Sequence, residues 1–312
     1  MADQFLRKAS LVIGEGTQAL DLSSLHFTFN VVDTSLDAPK TAYVRIFNLS
    51  KNTARTVTTE GTQIILSAGY EGGFNTIFNG QITQARIGRE NGTDTYLDIT
   101  AADSDKIYNY GMLNFSVAAG TDVIGRLGQI ATAAGVKLGT VQAPPNGAKL
   151  SRGAVFFGLA RDHLREQCAT IGANWSINEG QLDVVAEGGY KPGDIPVITS
   201  ATGMIGVPEQ TEIGISVRCL LNPNLQKNMR VQLDNASIRQ YGYSTAYKSD
   251  DQLQNVPSLS ADGIYKVLYV NHHGDTRGQD WYSDFVAYSR LVAGAGGNQQ
   301  LTYMPQYKPI LY

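Results

Sequence analysis

The sequence predicts a mainly β protein with an α+β insert, in which two related β-barrel or sandwich domains flank a small α+β domain. Three observations predict it. Short runs of apolar–polar alternation crowd both ends of the chain, the period turns helical in the middle, and a spaced motif of the first β region recurs in the last. Composition agrees, because charged residues are only 17% and 33 glycines supply turns. That balance excludes a helical bundle and a disordered chain. The expected divisions are 1–112, a first β domain; 113–190, the α+β insert; 191–293, a second β domain; and 294–312, an extended tail.

In the first region, residues 26–32, 42–47 and 63–68 alternate as half-buried strands do, and 76–78, 81–86 and 95–99 follow them. Asn48-Leu49-Ser50, Glu71-Gly72-Gly73 and Asn91-Gly92 punctuate these runs as turns, and Asn91-Gly92 is the strongest hairpin signal in the chain. In the insert, Thr121 or Asp122 caps a helix carrying Val123, Ile124, Leu127 and Ile130, and Gly135 stops it. Pro144-Pro145-Asn146-Gly147 reads as an exposed loop. A second helix is expected over 153–172, with Phe156, Ala160, Leu164, Cys168 and Ile171 on one face. A hairpin follows around Asn178-Glu179-Gly180. Strands return at 215–220, 229–233, 263–270 and 281–286, with a polar loop over 237–260.

Shifted by 186 residues, Gly88, Gly92, Asp94, Tyr96, Asp98 and Ala101 fall on Gly274, Gly278, Asp280, Tyr282, Asp284 and Ala287. Each copy also has an earlier Val-Arg pair, Val44-Arg45 and Val217-Arg218. The context is alike in both: a turn, then Asp, Tyr and Asp alternating along a strand.

The net charge of −3 lacks the basic excess of a phosphate-gripping protein. Cys168 and Cys219 have no metal or redox spacing and read as buried thiols. No leader-like run opens the chain and no stretch approaches the roughly 18 apolar residues of a span, so membrane insertion is not expected and assembly in a cytoplasm is.

His272-His273 would face opposite sides of a strand, which precludes a shared metal there; a turn would allow one. Asp94, Asp98, Asp103 and Asp105 read as a solvated strand face followed by a turn or cap. No G-x-S-x-G elbow or phosphate loop is present, so neither catalytic residue nor cofactor nor metal is expected. Tyr residues, 16 in number, suit barrel packing and subunit contacts, with glycan binding as the alternative.

The runs 42–50, 68–70, 77–82 and 92–99 resemble the tube-like barrel of phage baseplate hub proteins of contractile-tailed phages. Residues 263–267, 272–278 and 281–284 resemble that family's second barrel. The resemblance implies a virion structural protein: a homotrimeric ring of pseudo-six-fold symmetry joining a hexameric tail tube to a trimeric central spike. Surrounding wedge proteins would contact it, and phage DNA would pass through its lumen in transit only. A receptor- or glycan-binding tail adhesin is the alternative, and a cell-wall hydrolase a second. The expected interface residues are Glu71, Gly72, Gly73, Gly88, Asn91, Gly92, Pro144, Pro145, Tyr303, Tyr307 and Tyr312.

Overall fold

The computed structural model describes residues 5–14, 19–35, 38–60, 63–142, 149–186, 188–211, 213–239 and 259–289. The first stretch forms β1 (Arg7–Ile13), β2 (Leu20–Asp21), β3 (Phe27–Thr34), β4 (Thr41–Phe47), α1 (Lys51–Glu60), β5 (Gln63–Tyr70), β6 (Gly73–Arg89) and β7 (Thr95–Ala102). Alternation drives these strands: in β3 every second side chain, Phe27, Phe29 and Val31 among them, is buried. The runs 76–78 and 81–86 are one long strand, β6. Helix α1 has a Thr-rich sequence of weak helical preference. Ser50 Oγ starts it by accepting from Thr53 N (3.1 Å), and Ala54 and Val57 anchor it in the core.

The middle stretch forms α2 (Asp105–Tyr110), β8 (Met112–Val117), α3 (Val123–Ala133), β9 (Lys137–Gln142), β10 (Ala154–Leu159), α4 (Ala160–Ala169), β11 (Ala173–Asn178) and β12 (Gln181–Ala186). Asp122 caps α3 by accepting from Gly125 N (2.7 Å), and Gly135 lies in the left-handed region just past its end. The expected helix over 153–172 is shorter. Residues 154–159, rich in β-branched and aromatic side chains, pair with β8, and the helix begins only at Ala160. Phe156, Ala160, Leu164 and Cys168 enter the same core, which is why their spacing mimics one helix. Glu179 and Gly180, both at positive φ, form the two-residue turn between β11 and β12.

The last stretch forms β13 (Val197–Ile198), β14 (Met204–Gln210), β15 (Ile215–Leu220), β16 (Arg230–Leu233), β17 (Ile264–Asp275) and β18 (Trp281–Ser289). Most of the expected 237–260 loop lies outside the described residues.

Strands from before and after the helical stretch join one 13-stranded sheet, in the order β14-β15-β18-β17-β3-β4-β7-β6-β5-β1-β2, with β16 on β17 and β13 on β16. The joint is β17 against β3, seven antiparallel pairs from Tyr269↔Thr34 to Asp275↔Thr28. On either side of it the same order occurs. The first half runs β3-β4-β7-β6-β5-β1, and the second runs β14-β15-β18-β17-β16-β13. Even the irregularities correspond: the register slips between Ile82 and Gln84 beside Ala101, and between Val267 and Tyr269 beside Ala287. In this pairing Gly88 lies opposite Tyr96 and His273 opposite Tyr282, so Gly88 matches His273 and not Gly274, because the later hairpin is one residue longer.

Among the described residues, three apolar clusters form. The first centres on Phe27, Val44, Leu66 and Leu97, and takes in Leu221 and Trp281 from the last stretch. The second joins α3 and α4 to Trp175 and Leu182. The third centres on Val217, Val231, Val267 and Phe285. Each fully buried Leu, Ile or Phe contributes about 1.5–3 kcal/mol.

Candidate assembly surface

The face of the sheet turned away from these cores carries one arrangement twice. Arg45 on β4 donates Nε and Nη2 to Asp98 on β7 (2.7 and 3.0 Å) and lies over the Tyr96 ring, 4.1 Å from its centre. Arg218 on β15 donates to Asp284 on β18 (2.7 and 2.8 Å), with Tyr282 beneath it at 5.7 Å. Both pairs sit directly across from each other in the strand register. A planar fork against a carboxylate, with an aromatic ring under it, fixes register as well as charge. These are the Val-Arg and Asp-Tyr-Asp elements of the repeated motif.

The second copy has an addition. His273 places Nδ1 2.7 Å from Asp280 and Nε2 3.3 Å from Asp284. Burial opposes its charge, but the two carboxylates prevail and raise it to about 9, which makes it an imidazolium donating from both nitrogens. Burial likewise opposes the Asp284 charge, and Arg218 and His273 overcome it, holding the carboxyl at about 2.

His272, next along β17, faces the opposite side, so the two imidazoles share no ligand. It is buried, which lowers it to about 3, with Lys40 acting in the same direction. As a neutral ring it donates Nε2–H to Leu225 O (3.3 Å) and accepts at Nδ1 from the Ser283 hydroxyl (2.7 Å). Among the described residues no group of three or more His, Cys, Asp or Glu is placed to hold a metal. Both cysteines are buried, and burial pushes the Cys219 thiol up to about 12.

Two contacts tie the parts together, and neither had a local sequence signal. Lys227, 1% exposed, places Nζ 2.8 Å from Asp33 on β3 and so joins the two halves of the sheet. Burial opposes the Asp33 charge, yet Lys227 and Lys40 hold its carboxyl below the usual range. Asp103, expected as part of a turn or cap, is buried at the end of β7. It accepts from Glu179 N (2.8 Å) and from the Ser104 hydroxyl (2.9 Å), so it pins the β11–β12 turn to the sheet. Burial raises its carboxyl.

Of the expected interface residues, Glu71 and Gly72 form the β5–β6 turn and Gly73 begins β6; Glu71 also meets Lys8 at 3.4 Å. Gly69 makes that turn possible, since a Cβ there would overlap the Gly73 carbonyl. Gly88 faces the Tyr96 ring. Asn91 shapes its hairpin through its side chain, Oδ1 accepting from Thr93 N (2.8 Å) and Asp94 N (2.7 Å), while Gly92 stays out of the left-handed region. Pro144, Pro145, Tyr303, Tyr307 and Tyr312 lie outside the described residues.

Among the exposed apolar side chains are Tyr110, Met112, Val155 and Phe157 around the β8–β10 pair, Ile87 on β6, and Ile205 and Val207 on β14. No helix among the described residues is long and apolar enough to cross a membrane.

The frame is one 13-stranded sheet that carries the same ion-pair ladder twice on one face. Residues 7–237 match the family model described as baseplate hub gp41, and the chain belongs to that family of tail components. No curated protein matches it by sequence. The fold is similar to that of a tail protein from Neisseria meningitidis MC58, with 9% identity and a TM-score of 0.57, over 91% of this chain and 97% of that one. It is also similar to a 43 kDa tail protein of prophage MuSo2 from Shewanella oneidensis, with 6% identity and a TM-score of 0.56, over 89% and 97% of the two chains. The E. coli c3393 protein, described as a type VI secretion component similar in structure to T4 tail proteins gp27 and gp5, gives 9% identity and a TM-score of 0.52, over 89% and 76%.

Proposed function

We propose that this baseplate hub subunit assembles as a homotrimeric ring of pseudo-six-fold symmetry that joins a hexameric tail tube to a trimeric central spike. The observation that carries the reading is the doubled strand order with its doubled Arg–Asp–Tyr ladder. Two like units per chain, repeated three times, present six similar surfaces to a tube on one side and three identical chains to a spike on the other. The two halves act as related tube-like domains, and the 113–190 segment is the insert between them.

The ion-pair face, neutralised residue by residue, suits a lumen through which DNA passes without adhering. No catalytic step is assigned to the chain. The Glu71–Gly73 and Gly88–Gly92 turns, the Pro144–Pro145 loop and the tail carrying Tyr303, Tyr307 and Tyr312 are the contacts proposed for tube, spike and wedge proteins. Removing residues 295–312 should leave the melting temperature unchanged and reduce incorporation into particles; unchanged incorporation would refute the tail's role.

Light scattering with negative-stain imaging tests the ring itself. A mass near three times 33.7 kDa, with images showing a central hole, supports it. A stable single chain at every concentration would turn the reading toward an adhesin, to be followed by glycan-binding assays.

A further inference from the structure

The two strands joined at the centre of the sheet have counterparts that are left unjoined at its periphery. In the second half, the outer part of β17 is covered by β3 of the first half. The counterpart of β17 is β6, whose outer part, Gln84–Arg89, pairs with β7 on one side and has no strand on the other among the described residues. The counterpart of β3 is β14, which ends the sheet.

Burial follows the same division. Val270 and His272 on β17 are buried at 0% and 2%, whereas Ile87, which holds the place of His272, is 58% exposed although it lies on the core-facing side with buried Leu97 opposite. On β14, Ile205 is 41% exposed and Val207 53%. We infer that the β6 edge of one chain pairs antiparallel with the β14 edge of a second copy, repeating between chains the β17–β3 joint made within each. This rests on the ring reading above and names the surfaces that close it.

The register follows from the equivalences. Thr28 on β3 and Ile205 on β14 lie opposite the matching arginines, Arg45 and Arg218. Thr28 faces Asp275, and the residue of the first half matching Asp275 is Glu90, so Ile205 faces Glu90 of the neighbour. Such an interface is head-to-tail, the type that generates a closed ring when its rotation closes. Part of the β14 edge is already in use: Thr199 O accepts from Met204 N (2.9 Å), and the Arg239 backbone bonds Pro208 O and Gln210 N (2.8 and 2.9 Å). The Arg239 contact is a lone bridge, which a longer ladder from the neighbour displaces.

The test is a cysteine pair at positions 90 and 205 (Glu90→Cys with Ile205→Cys) in the full chain, oxidised and run without reductant. The natural thiols are buried and stay out of the reaction. Expected is a ladder of two and three linked chains, at least tenfold more than from Glu90→Cys with Tyr43→Cys, whose second thiol sits on the open face away from the edge. Ile87→Lys, on a side chain already exposed, should lower the solution mass from three chains to one with an unchanged far-ultraviolet circular dichroism spectrum. A three-chain mass that survives Ile87→Lys, with no excess linking at 90 and 205, overturns the strand pairing and leaves the ring. A parent chain that neither links nor exceeds one chain in mass defeats both.

Discussion

The outer halves of β6 and β17 occupy the same place in two copies of one strand order, yet one runs along an open edge and the other is covered. Their sequences have adapted to that difference. β6 carries Gln84, Arg86 and Arg89 there, followed by Glu90, charged and polar residues that discourage indiscriminate edge pairing. β17 carries Val270 and the neutral, fully bonded His272. Burial in a sheet is therefore decided by what lies beside a strand.

The largest expected effect lies at the joint that makes the halves unequal. Lys227→Met leaves the Asp33 carboxylate buried without its cation, and should cost about 3–5 kcal/mol in urea unfolding. Changing both groups to apolar ones, Asp33→Leu with Lys227→Met, should restore most of that loss, because neither charge then needs solvation. A cost below about 1 kcal/mol for the single change would mean that the seven-pair ladder and Trp281, packed edge-on against Phe29 at 5.3 Å, hold the halves together alone.

The next effect separates the halves by pH. His272 is neutral when folded down to about 3 but takes a proton near 6.5 when unfolded, so stability falls as pH drops from about 6.5 towards 3. His273 is the reverse. Its contribution is complete below about 6.5 and is lost as pH rises through about 9. The melting temperature should therefore peak near pH 6–7. His272→Gln should flatten the acid side down to the carboxylate range, and His273→Gln the alkaline side. At the places matching these two histidines the first half has Ile87 and Gly88, which carry no titratable proton. A profile unchanged by both substitutions would show that other groups control it.

Legibility in the sequence followed the range of the interactions. Period-two strands such as β3, β4 and β15, the Asp122 cap with its Gly135 stop, and the turn at Glu179-Gly180 are local, and their residues announce them. The Arg–Asp–Tyr ladders were half legible: the repeated spacing marked Asp98 and Asp284, but only strand pairing brings Arg45 and Arg218 across to them. α1 was hidden because Thr-rich sequence favours no helix and tertiary burial of Val57 decides it. β14 was hidden by its Gly206 and Pro208. Lys227–Asp33 and Asp103–Glu179 join residues far apart in the chain, and no local pattern specifies such pairs.

The smallest effects belong to the ladders themselves, and their inequality is informative. Both forks are partly exposed, so Arg45→Ala and Arg218→Ala should each cost no more than about 1 kcal/mol, read from denaturant midpoints. Arg45→Ala should cost more. It removes the cation nearest Asp98 and uncovers the Tyr96 ring at close range, whereas Asp284 without Arg218 keeps the imidazolium of His273. Removing His273 as well should erase that protection, so Arg218→Ala and His273→Gln should show a coupling of about 0.5 kcal/mol or more in a double-mutant cycle. Equal costs in both halves, with no coupling in the second, would mean that the histidine adds nothing to the ladder and that the halves differ only at their edges.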